Sequence, residues 1–276
     1  MRAGPILTDR HHDHVPGATE AGSHVPFMIR ILLVWPLGLF GVFFVLPVAM
    51  AGIWWALQDR PGSWRLADWG PSGVLRAADE VPEAVIHVLA ARTGGAKGAV
   101  SVHSWIVYKE AGAASWTRAD VVGWGTPVRR NAYAPDARWY SNMPAIVGSV
   151  TGPAAAALLQ DVEAAIAGYP WSAPGDYTIW PGPNSNTFVA HVLREVPEIG
   201  LTLPPHAVGR DFTGEGLTAL RDAGGDLHLS WSGIAGFSAG PRTGLEVHLL
   251  GQVFGIDIAR PALKLPGIGR VGWPAS

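Results

Sequence analysis

Residues 176–189 read DYTIWPGPNSNTFV, a turn followed at once by a helix start. Pro181, Gly182 and Pro183 prevent helix up to that point. Asn184 or Ser185 is a preferred N-cap, and an apolar stripe of Phe188, Val192 and Val196 follows at helical spacing until Pro197 stops it. Ser185 therefore stands at a helix N-terminus, where free N–H groups and the helix dipole favour negative charge. That is a suitable place for a nucleophile or an oxyanion.

On the N-terminal side, residues 151–170 predict the other helix. Thr151 or Gly152 caps it, Pro153 suits the first turn, and Leu158, Leu159, Val162 and Ile166 form one buried face. Gly168 ends it and Pro170 blocks its resumption. Upstream lie the strands, at 85–91, 100–108 (VSVHSWIVY), 116–124 and 128–133, with a short apolar segment at 145–150. Downstream, Leu227, Leu229 and Trp231 alternate with His228 and Ser230, a period of two that marks strand. Residues 245–250 and 253–258 continue a β-rich unit. The expected class is α+β: an antiparallel sheet with two packed helices, then a small β appendage over 213–276.

The second informative stretch is HSWIVY, residues 103–108. His103 lies on a strand and serves as a general base if it faces Ser185. Together the two stretches resemble the paired signatures of permuted papain-like proteins, the NlpC-type and lecithin:retinol-acyltransferase-like group. In that group a strand opens with histidine, and an Asn-Cys-x-x-Phe motif opens the nucleophile's helix. Asn184 and Phe188 match in register, Ser185 stands where the cysteine would be, and Trp105 stands where glycine is usual. The resemblance implies Ser185 as nucleophile, His103 as base and Asp120 as the group orienting the imidazole. From about residue 60 to the end, the chain also resembles a bacterial membrane-associated family of unknown function, on HSWIV, GPNSNTF and RPALKLPG.

Residues 31–57 carry no charge: ILLVWPLGLFGVFFVLPVAMAGIWWAL. An apolar run of about 18 residues or more is a membrane-span candidate. As an anchor, it places Trp54 and Trp55 at a headgroup boundary. As a secretory signal, it starts at Met28 and is cut near Ala49-Met50-Ala51. Arg10 and Arg30 before the run nearly balance Arg60 and Arg65 after it, so charge leaves the orientation weakly set. The signal-like end favours export, with the domain on the outer, periplasmic side of the inner membrane. The domain plan is a tail at 1–27, an anchor or signal at 28–57, a Pro/Gly/Trp-rich linker at 58–82, a core at 83–212, and the β-rich unit at 213–276.

Composition removes several classes. The chain holds no cysteine, which excludes disulfides, cysteine–zinc sites and a thiolate nucleophile. A net charge of -2 gives no footprint for nucleic acid. GIGRVG, residues 267–272, has too little chain after it to supply the helix that a dinucleotide site needs. His11-His12-Asp13-His14 sits in a polar tail, and His87, His206, His228 and His248 read as isolated. His191 lies on the far side of its helix from Ser185. No cofactor or metal is expected. Three readings remain: a membrane-anchored, non-catalytic module binding an envelope ligand or partner; a Ser/His hydrolase or acyltransferase acting on an amide, peptide or lipid ester; and a structural envelope protein.

Overall fold

The structure, a computed structural model, describes residues 34–272 together with Met1 and Gly4. Met28, Arg10, Arg30 and the His11–His14 cluster lie outside the described residues. Packing divides the chain into Met1–Gly38 and Leu39–Ser276, and the second unit carries the features below. It is an α+β unit with an N-terminal apolar helix, few further helices and two antiparallel sheets.

Helix α1 spans Trp35–Ala56, with a mean hydropathy of 2.2. Its length and composition suffice to cross a bilayer. The domain plan separates the apolar run at 28–57 from the core by a linker, but the helix itself packs on the globular part from Phe43 onward. The Phe43 ring lies 4.8 Å from that of Phe254. Trp55 is buried and its Nε1 donates to Gly95 O at 2.9 Å. A Cβ placed on Gly98 would meet the Trp55 ring at 2.3 Å, so only glycine admits that indole.

The five-stranded sheet runs in the order β4-β3-β2-β1-β5. Its strands are β1 (Val85–Arg92), β2 (Val102–Lys109), β3 (Thr117–Val121), β4 (Val128–Arg130) and β5 (Ala145–Thr151). Helices α2 (Gly152–Ala167) and α3 (Ser185–Glu195) cover one face. Val88, Ile106, Ala119 and Val121 pack there against Val162, Ile166, Phe188 and Val192. The side-chain period of two sends their neighbours to the other face. Leu89, Trp105 and Val107 there form a second core with Trp139, flanked by Trp69, Leu75, Tyr133 and Tyr140. The stretch read as a linker is thus part of the packing. Pro71 bridges Ala137, the Ser72 hydroxyl donates to Asp136 O at 2.7 Å, and Arg138 N donates to Gly70 O at 2.9 Å.

The β unit lies within the expected 213–276 and forms a sheet of seven strands. Strands β6 (Leu217–Arg221), β7 (Leu227–Trp231), β8 (Ala235–Gly240), β9 (Gly244–Leu249), β10 (Gln252–Asp257), β11 (Ala262–Leu265) and β12 (Gly269–Gly272) form one antiparallel meander. The β9–β10 turn is Leu250-Gly251, both at positive φ, the geometry that matches strand twist in two-residue hairpins.

This sheet is built inside out. Ser230, Ser238, Glu246, His248 and Lys264 point inward and are buried. The pairing registers align outward side chains in rows. One row is Ala219, Leu229, Phe237, Val247 and Phe254, and the next runs from Leu227 through Leu245 and Ile256 to Leu263 and Val271. Leu229, Phe237, Leu245, Val247, Ile256 and Val271 are exposed.

Candidate functional site

The N-terminus of α3 is held by three amide and hydroxyl side chains. Asn184 accepts from Asn186 N at 2.9 Å and Thr187 N at 3.3 Å, and its own N–H donates to Thr187 Oγ1 at 3.0 Å. That is a reciprocal capping box. The Asn184 amide also donates to Ile179 O at 3.0 Å and Val208 O at 3.1 Å. Gly209 has φ +92°, and a Cβ there would stand 2.3 Å from Asn184 Nδ2. Asn186 ties the helix to the sheet: it accepts from Ser104 Oγ at 2.8 Å and donates to Val102 O at 2.9 Å. Thr187 Oγ1 donates to Gly209 O at 2.7 Å. Ser185 is buried at the first helical position, and its hydroxyl makes no hydrogen bond among the described residues.

Alternation along β2 fixes where His103 points. Ser104 meets α3, so His103 faces the opposite side of the sheet. Its ring stacks on Trp139, with centroids 3.7 Å apart and planes at 5°. Asp120 shares that face, with Oδ2 at 3.5 Å from His103 Nε2 and 2.8 Å from an Arg118 nitrogen. The 3.5 Å contact is an ion-pair distance rather than a good hydrogen bond. His103 Nε2 and Asp120 Oδ1 have no hydrogen-bond partner among the described residues. Arg118 donates to Ala134 O at 2.9 Å and lies over the Trp105 ring at 4.2 Å.

Burial dominates the His103 ring and lowers its pKa; Asp120 pulls the other way and Arg118 adds to the lowering. Burial pushes Asp120 up, but His103 and Arg118 outweigh it and hold the carboxyl below its ordinary range. The structure therefore brings His103 and Asp120 together and sets Ser185 apart from them. A base that is neutral at neutral pH is present, but no hydrogen bond links it to the serine.

On the His103 face a groove of about 480 Å³ opens, lined by Trp64, Trp69, Trp124, Tyr133 and Tyr140. Trp139 connects it to His103: the Trp69 ring meets Trp139 edge-on at 5.0 Å and Tyr133 does so at 5.4 Å. In the sequence, Trp64 and Trp69 stand out within the Trp-rich stretch at 58–82, as residues of the membrane interface or caps of the domain, whereas Trp124, Tyr133 and Tyr140 do not. The signal available was tryptophan density beside turn-forming residues. Tyr140 sits at φ +52°, against Gly94, whose missing Cβ would lie 2.1 Å from the ring.

A second polar cluster lies behind the seven-stranded sheet. Glu246 bridges Arg210 and Lys264, the latter at 2.5 Å. His248 Nδ1 is 3.7 Å from Asp211 Oδ2, and His228 Nε2 is 3.1 Å from Asp222 Oδ2. The reading of His228 and His248 as isolated is thus corrected: sequence separation hid partners that the meander brings together. Asp222, Asp226 and His228 could jointly reach one cation, with ligand atoms within 4.8 Å of one another. Arg242 already pairs with both carboxylates, which supplies that positive charge.

Residues 83–212 match the family model described as a protein of unknown function, DUF3750. No curated protein and no solved structure matches the chain.

Proposed function

We propose that the chain is a membrane-anchored, non-catalytic binding module of the cell envelope, built on a papain-like core, with its ligand site in the aromatic groove. One observation supports this reading: Ser104 bonds Asn186 on α3, so alternation along β2 turns His103 to the other face, away from the helix that carries Ser185, and among the described residues no hydrogen bond links the two. The inward face of β2 at that level is taken up by the Ser104–Asn186 hydrogen bond. The Asn-capped helix beside a histidine strand supports descent from a papain-like arrangement whose nucleophile and base no longer meet. The groove suits a ligand with flat apolar faces, because five aromatic rings offer stacking surface. Helix α1 supports attachment to a membrane through its length and hydropathy.

The test is a serine-reactive fluorophosphonate probe applied to the membrane-reconstituted chain. Ser185 stays unlabelled on the binding-module reading. Labelling that disappears in Ser185→Ala restores the hydrolase or acyltransferase reading instead.

A further inference from the structure

We propose that the outward face of the seven-stranded sheet is itself immersed in lipid, forming with α1 one continuous membrane-embedded surface. The inference rests on the membrane reading of α1 and extends it from a helix to a sheet. Three observations carry it.

The sheet's polarity is inverted. A sheet of a water-soluble domain packs its apolar face inward and wets the other. Here Glu246, His248 and Lys264 are buried, while Leu229, Trp231, Phe237 and Val247 are exposed. Seven strands at a spacing of about 4.8 Å make this face roughly 29 Å wide. Contiguous apolar surface of that extent marks an interaction site or a membrane contact. Among the rows traced by the registers, Arg221 is the charged member, and it stands on the edge strand β6.

The face is continuous with α1. Phe254, a member of the central row, packs on Phe43 at 4.8 Å and on Phe44 at 6.2 Å. Those two phenylalanines stand in the middle of the uncharged run at 31–57.

Depth follows from that contact. Phe43 lies 14 residues before Leu57, or about 21 Å along a helix. Half of a bilayer's hydrocarbon core is only about 15 Å. Whether α1 stands upright or lies flat, the strand beside Phe43 shares its depth. Lipid is therefore the occupant favoured over a second copy or another protein. Residues 1–27, polar and rich in histidine, have no apolar run able to cover the face.

The absence of cysteine makes the test direct, since every introduced thiol is the sole labelling site. Single variants Leu229→Cys, Phe237→Cys and Val247→Cys report on the sheet, Val42→Cys on α1, and Gln160→Cys on the distant helix α2. Each is labelled with an environment-sensitive nitrobenzoxadiazole dye. The full chain is reconstituted in phosphatidylcholine vesicles, with or without doxyl-labelled phosphatidylcholine. The expected result is strong doxyl quenching and little iodide quenching at the sheet and α1 sites, with the reverse at Gln160→Cys. Sheet sites open to iodide while Val42→Cys is quenched by lipid would overturn the proposal and leave the anchor intact. Sheet sites shielded from both quenchers would overturn it in favour of a protein partner or second copy. Iodide access at Val42→Cys would remove the membrane reading itself, and this proposal with it.

Discussion

The imidazole of His103 lies flat on the indole of Trp139, 3.7 Å between centroids and 5° from parallel. The stack holds the ring in the second core, behind Trp69 and Tyr133 of the aromatic groove and away from α3. Trp139→Ala removes a buried aromatic and should cost about 3–5 kcal/mol, read by urea unfolding. The His103 pKa should rise in that variant, because burial is what lowers it. Ser185→Ala should cost less than about 1 kcal/mol, since no hydrogen bond is lost. A shift of the His103 ring resonances in Ser185→Ala would contradict the separation of the two residues.

Asp120 and Arg118 form a pair buried from solvent, 2.8 Å apart. Asp120→Ala leaves a buried guanidinium without its carboxylate, which is expected to cost about 3–5 kcal/mol. Asp120→Asn keeps an acceptor and should lose less. Both should lower the His103 pKa further, since Asp120 raises it. An NMR titration of the ring in each variant measures this, and an upward movement would refute the assigned arrangement.

Asn184 works as an acceptor toward α3 and as a donor toward Ile179 O and Val208 O. Asn184→Asp keeps the cap but turns an oxygen toward two carbonyls. Capping propensity alone makes that exchange nearly neutral. The structure instead predicts a loss of about 2 kcal/mol, because Ile179 O loses its donor and an oxygen is pressed against Val208 O, which keeps the donor Asn186 Nδ2 at 2.8 Å. Thermal unfolding of Asn184→Asp beside the parent distinguishes these expectations.

These residues also show how far the sequence was legible. Pro183 followed by Asn184 and an apolar stripe is local information, and it suffices to place the start of α3 at Ser185. Strands β1, β2 and β5 were likewise legible as apolar runs between turns. Which face of β2 His103 uses was not, since that depends on Ser104 meeting Asn186, residues 82 positions apart. The polarity of the β unit had a local trace: Leu227, Leu229 and Trp231 alternate with His228 and Ser230. The period is correct, but it does not say which half is buried. Burial went to the polar half because Glu246 is neutralised by Arg210 and Lys264, residues far from it in sequence, while neutral His248 bonds Ser238 on the neighbouring strand at 3.0 Å.

That cluster leaves one carboxylate poorly served. Both oxygens of Asp211 are buried without a hydrogen-bond partner among the described residues. Burial raises its pKa to about 6 from an ordinary 3.8, against the lowering by the Arg210 and Arg194 charges. A raised acid favours the folded state while protonated. Its contribution is therefore complete below pH 3.8 and is lost as pH climbs through about 6. The gap corresponds to about 3 kcal/mol at most. Asp211→Asn mimics the protonated form, so it should be more stable than the parent by about 1–3 kcal/mol at pH 8. The advantage should shrink through pH 6 and vanish near pH 3.5. His248, held neutral by burial with a pKa near 3, and Glu246, held ionised near 2, titrate in both proteins and largely cancel in the difference. Urea midpoints across pH 3.5–8 give the curve, and an advantage that grew toward acid would show that Asp211 is ionised and paired in the folded chain.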